Sequence, residues 1–113
     1  MTYEELSDED LLVLIGASRA LINTDDLVSL QEMAWVRALV EQIGRERWKA
    51  LAGQSEREFL HTDELIAALE RLERPEVRTF ILDEVRALAE ADGLEPDEIA
   101  FLERLDTARG VAR

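Results

Sequence analysis

The sequence predicts an all-α fold, a compact single-domain bundle of six to seven helices. Three observations carry this. Apolar residues recur at helical spacing along nearly the whole chain. No stretch alternates apolar and polar residues as a half-buried strand does, and β-branched residues are few. Both prolines, Pro75 and Pro96, fall where a helix would begin, a position at which the missing N–H costs nothing. A length of 113 residues makes one domain, residues 1–113, with frayed ends expected over about 1–6 and 107–113. At that size the chain buries roughly two-thirds of its unfolded surface without a metal or disulfide staple.

Ser7 reads as an N-cap, with Asp10 three residues on and acids filling the first turn. Leu11, Leu14 and Ile15 follow at helical spacing, to about Ala20. Asn23-Thr24-Asp25-Asp26 reads as a turn that caps the second helix, which places Val28, Trp35, Leu39 and Ile43 on one face and ends at Gly44. Arg45 to Ala52 reads as a short helix interrupted by Gly53. Ser55-Glu56-Arg57-Glu58 then opens a single turn to Leu60. Thr62 is the expected cap of a helix carrying Leu65, Leu69 and Leu72. Pro75 starts a helix with Val77, Ile81, Val85 and Leu88 inward, reaching about Ala91. Pro96 starts the last, with Ile99, Leu102 and Leu105 inward. A shift of 71 residues lays Leu11, Leu14, Ala17 and Ala20 on Leu82, Val85, Leu88 and Ala91, a weak internal repeat of helix pairs.

Composition excludes several functions. There is no cysteine, so disulfides, thiolate chemistry and Cys-ligated zinc are out. The longest apolar run, Leu11 to Ile15, is far too short for a membrane span, and the acidic start does not read as a signal peptide. A cytoplasmic protein is expected. The net charge of −13 argues against nucleic acid and anionic lipid and favours cations, a basic protein partner or plain solubility. The charge is uneven: residues 90–106 hold seven acids against Arg104 alone, whereas residues 37–57 hold five bases against three acids.

The catalytic inventory is thin. His61 is the single histidine, beside an expected helix start, and reads as an exposed turn residue rather than a ligand. No Ser-His-Asp or Cys-His arrangement and no glycine-rich phosphate loop can be assembled, so an enzyme is not expected. Ser29 lacks the preceding Asp of a carrier-protein attachment site, since Val28 stands there. Trp35 and Trp48 are read as core anchors, with an aromatic-and-arginine partner patch as the alternative.

The densest feature is the elbow Ala91-Asp92-Gly93-Leu94-Glu95-Pro96-Asp97-Glu98, in which four carboxylates fall within seven residues. Such a cluster is either an oxygen-ligand set for a hard cation or a strongly built helix start, with Gly93 ending one helix, Glu95 capping the next and Asp97 and Glu98 complementing its dipole. The elbow, preceded by an Ala/Leu-rich helix and followed by Ile99-Ala100-Phe101-Leu102, resembles the tellurite-resistance TerB-like family. That resemblance implies an all-helical domain of two pseudo-repeated helix pairs, a divalent-cation site (calcium or similar), and a place in a stress-response assembly near the membrane. Carried over by position, Asp92 and Glu98 would be ligands, with Glu95 and Asp97 beside them. The elbow is one residue shorter than the family pattern, and Ala20-Leu21-Ile22-Asn23 stands where the first Ala-Asp-Gly turn belongs. That shift leaves Asn23, Asp25, Asp26 and Glu32 as the nearest oxygen donors there. The leading expectation is a non-catalytic TerB-like module with a protein partner. The alternative is an acidic helical inhibitor or immunity-type protein that meets a basic partner.

Overall fold

Helix starts are where the sequence acts most directly on the structure. The computed structural model describes residues 1–23, 29–91 and 93–108. Six helices lie among them, after a 3-10 turn at Tyr3–Glu5: α1 (Asp8–Ile22), α2 (Leu30–Ile43), α3 (Arg45–Glu58), α4 (Thr62–Arg71), α5 (Pro75–Ala91) and α6 (Pro96–Asp106). No strand occurs among the described residues.

Four helices begin with the same device, an acid at the third helical position whose carboxylate turns back to accept the N–H of the capping residue. Asp10 accepts from Ser7 N at 3.0 Å, Glu32 from Ser29 N at 2.8 Å, Glu64 from His61 N at 2.9 Å and Glu98 from Glu95 N at 3.2 Å. In α1 and α2 the serine hydroxyl returns the bond, accepting from Asp10 N and Glu32 N. Each closed box satisfies two amide donors that the helix itself cannot.

The helix α1 occupies the centre. From Asp10 to Ser18 every residue is buried. A helix apolar all round has no face to give to water and must be surrounded. Here α3, α4 and α5 pack against it, α2 packs on α3 and α5, and α6 packs on α5. The aliphatic run Leu11 to Ile15 is thus a core axis, not one stripe of an amphipathic helix. Leu39, Leu65, Leu69, Ile81, Val85, Leu88 and Leu105 close around it.

Several boundaries differ from the sequence expectation. The cap of α2 is Ser29, and the helix starts at Leu30, because Ser29 and Glu32 form the box that the Asn23–Asp26 stretch was expected to supply. Residues 24–28, including Asp25, Asp26 and Val28, lie outside the described residues. Arg45–Glu58 is one continuous helix. Gly53 costs about 1 kcal/mol relative to alanine in a helix interior, too little to stop it. Ser55 does not cap a new turn but returns its hydroxyl to Ala52 O at 2.8 Å inside the helix. The cap of α4 is His61, one residue before Thr62. Ile99 is 40% exposed, and Phe101 takes the inward place on α6.

The chain start is held rather than loose. The Tyr3 ring meets Phe80 edge-on at 5.7 Å, its hydroxyl donates to Glu84 at 3.1 Å, and Leu6 is buried. Burial, and then the Glu84 carboxylate, push the Tyr3 phenol well above its usual range. At the other end Ala108 is buried, whereas residues 109–113 lie outside the described residues. Gly44 and Gly93 both adopt positive φ, which ends α2 in one case and forms the elbow in the other. A buried arginine, Arg78, donates to Leu72 O at 2.7 Å and so satisfies a carbonyl at the end of α4.

Candidate functional site

The elbow between α5 and α6 is the site that the sequence singles out. Asp92 lies outside the described residues. Glu95 and Asp97 are exposed, at the cap and in the first turn of α6. Glu98 points inward, 1% exposed, with Oε1 on the Glu95 N–H. In that position it repeats what Asp10 and Glu32, also buried, do at the starts of α1 and α2. A hard cation asks for six or more oxygens at about 2.3–2.6 Å. Among the described residues no group of three or more His, Asp or Glu is placed to hold a metal ion. Among the described carboxylates of the elbow, Glu98 makes the helix-start bond, and Glu95 and Asp97 are exposed.

His61 is exposed at the cap of α4. Trp35 and Trp48 are each half-buried, packed against the core from α2 and α3. The basic segment is partly neutralised, since Arg47 pairs with Asp8 across α3 and α1. Arg37, Arg45, Lys49 and Arg57 have no ion pair among the described residues.

A second feature was not expected from the sequence. Both α3 and α4 pack on α1 but hardly on each other. The gap between them is a groove of about 790 Å³, within the range of ligand-binding clefts. Its floor is Leu12 and Val13 of α1 with Leu51 of α3 and Ala68 of α4. Small residues, Ala50 of α3 and Ala67 of α4, line its walls. The rim is mostly acidic: Asp8 and Glu9 from the first turn of α1, Glu58 from the end of α3 and Glu64 from the start of α4, against Arg47 and Arg71. Asp8 is paired with Arg47, and Glu58 accepts only the neutral Gln54 amide, at 3.1 Å. Glu9 and Glu58 have no cationic partner among the described residues.

The groove ends at Phe59, in the short link between α3 and α4. Its ring lies on Gly16 of α1 so closely that a Cβ at Gly16 would sit 2.5 Å from Phe59 Cδ2 and 2.8 Å from Cε2. Beyond the ring a smaller hollow of about 480 Å³ opens, with His61 on its wall and the Arg19–Glu56 ion pair beside it. The signal for the groove was present as small residues, Ala50, Ala67 and Ala68, on two consecutive helices. Nothing local says that those faces look toward each other.

No helix among the described residues is long and apolar enough to cross a membrane. Comparisons with protein-family models, with curated proteins and with solved structures find no match. The resemblance to the TerB-like family, sharpest over residues 85–105, therefore stays an expectation from the sequence.

Proposed function

We propose that this chain is a non-catalytic helical interaction module that presents an anionic surface to a basic protein partner, in the manner of an acidic inhibitor or immunity-type protein. The observation that carries the reading is the rim of the α1–α3–α4 groove, where Glu9 and Glu58 are exposed with no cationic partner among the described residues, beside Asp8 and Glu64, an arrangement that favours cations. A net charge of −13 supports the same sign of partner and disfavours nucleic acid. The cytoplasm and a stress-response assembly of tellurite-resistance type are the setting that the resemblance at the elbow suggests. A divalent cation there would draw on Asp92 together with Glu98, which is engaged in starting α6, and the exposed Glu95 and Asp97.

The test is capture on the immobilised full chain, compared with a Glu9→Lys/Glu58→Lys variant whose melting is first shown to be unchanged. A basic partner held by the native chain, lost by the variant, and released as salt rises toward about 1 M, where the Debye length falls to ~3 Å, supports the reading. Partners held equally by both proteins and insensitive to salt would refute it.

A further inference from the structure

We infer that the outward face of α2 is a self-association surface, on which a second copy of this chain pairs antiparallel about a two-fold axis. The inference goes beyond the reading above and uses a different surface, since no residue of α2 lines the groove.

The helix α2 has two faces. Trp35, Leu39 and Ile43 pack against the core. On the other side Leu30, Ala34 and Ala38 form one row at a spacing of four, and Met33, Arg37 and Glu41 form the row beside it, all of them exposed. Rows at that spacing are the ridges by which two helices interlock. Leu30 is 77% exposed and Met33 45%, apolar surface whose burial is favourable, and the two alanines let a second backbone come close. In a chain of net charge −13 this face is neutral: Arg37 and Glu41 are its only charges, whereas the exposed positions of α3 and α4 are all charged apart from Ala50. Few charges, with Met and Arg retained, is the composition of an interface centre.

Charge also selects the occupant and its direction. Arg37 and Glu41 stand one turn apart on the same helix, yet neither has an ion pair among the described residues. An antiparallel pair centred between Arg37 and Ala38 brings each Arg37 within one helical turn of the second copy's Glu41, and the two-fold axis makes that contact twice. A parallel pair would set Arg37 against Arg37 and align the two helix dipoles, which repel. A strongly basic or strongly acidic partner would gain nothing from its charge on a neutral face. One helix face, about 21 Å long and 10 Å wide, covers well under the ~800 Å² per partner of a stable interface. The dimer is therefore weak, with a dissociation constant on the order of 0.1 mM.

Sedimentation equilibrium of the full chain, from about 10 μM to about 1 mM, reads the association. Dimerisation should tighten about threefold as salt rises from about 0.05 M to about 0.5 M, because screening removes the repulsion between two bodies of charge −13. Binding of a basic protein to the acidic rim weakens over the same range, so the two interactions are told apart. Met33→Glu and Ala38→Glu, both at exposed positions and first shown to melt unchanged, should each weaken the dimer at least tenfold. Arg37→Glu should weaken it about threefold, and Arg37→Glu/Glu41→Arg should restore it. The chain has no cysteine, so spin labels on a Gln31→Cys variant report a single distance, roughly 20 Å in the antiparallel pair and about 10 Å in a parallel one. A chain that stays monomeric at about 1 mM in high salt leaves this face to a different protein and overturns the inference. Dimerisation untouched by Ala38→Glu places the contact elsewhere and overturns it as well. A charge swap that fails to restore association, or labels at the short distance, overturns the antiparallel arrangement.

Discussion

Replacing Gly16 with alanine puts a methyl group where the Phe59 ring now lies. The ideal Cβ would be 2.5 Å from Phe59 Cδ2 and 2.8 Å from Cε2, with Leu65 Cδ1 at 3.4 Å behind them. Two effects of opposite sign compete. Alanine raises helix propensity by about 1 kcal/mol over glycine in a helix interior. Forcing an extra carbon into a packed contact costs about 1–3 kcal/mol. A Cβ at 2.5 Å is closer than van der Waals contact allows, so the half-buried Phe59 ring must leave its seat on Gly16. The overpacking cost therefore wins, and a net loss of about 1 kcal/mol is expected. For a chain of 113 residues that lowers Tm by about 4 °C. Gly16→Val should lose more, since its β-branch adds bulk and returns less propensity. The sign should reverse once the ring is gone: in a Phe59→Ala background, Gly16→Ala should stabilise by about 1 kcal/mol. A thermal or urea double-mutant cycle would then give a coupling energy near 2 kcal/mol. If Gly16→Ala stabilises the native chain as much as it does the Phe59→Ala chain, the ring does not rest on Gly16 and the end wall of the groove has been placed wrongly.

Further outcomes follow from the same contacts. The raised Tyr3 phenol makes stability fall at high pH, because the folded state holds its proton more tightly than the unfolded chain does. That contribution is complete below the unfolded value near 10 and is lost as pH rises above it toward the higher folded value. Phenolate absorbance of the single tyrosine, read in native and urea-unfolded protein, should show the displacement, and Glu84→Gln should shrink it. Asp10→Ala removes the acceptor of Ser7 N and the partner of Arg74, which also donates to Glu5 O. It should cost about 1–3 kcal/mol in urea unfolding, against about 1 kcal/mol for Ser7→Ala, and a loss no larger for Asp10→Ala would refute its bridging role. The TerB-like reading predicts that calcium or manganese at a hundred times its dissociation constant adds about 2.7 kcal/mol to stability, with the gain abolished by Asp92→Asn/Glu98→Gln. No melting shift with any divalent ion would refute a cation site at the elbow.

The helix starts were legible because their physics is local. Ser7 with Asp10, Glu95 as the cap of α6, and proline at the first position of α5 and α6 are read within four residues, and the structure places each where the sequence put it. Where two local signals competed, the sequence misled. Gly53 and Ser55 read as a break, but packing of Leu51, Ala52 and Ser55 into the core holds α3 continuous across them. Likewise Asn23–Asp26 masked the stronger box at Ser29 and Glu32. The candidate elbow was visible as a concentration of charge. Its chemistry was not, because one carboxylate can accept an amide or bind an ion from the same position in the chain.

The sequence by itself determined that the protein is helical, where most helices begin, and that its net charge is strongly negative. Those properties belong to hydrogen bonds and side chains a few residues apart, and to a sum over the whole composition. Only the tertiary structure decided that α1 is the axis, that Phe59 closes on Gly16 from more than forty residues away, and that α3 and α4 stand apart above Leu12 and Val13. Periodicity says which residues leave water, not which surface receives them, and a groove exists only where two such surfaces fail to meet.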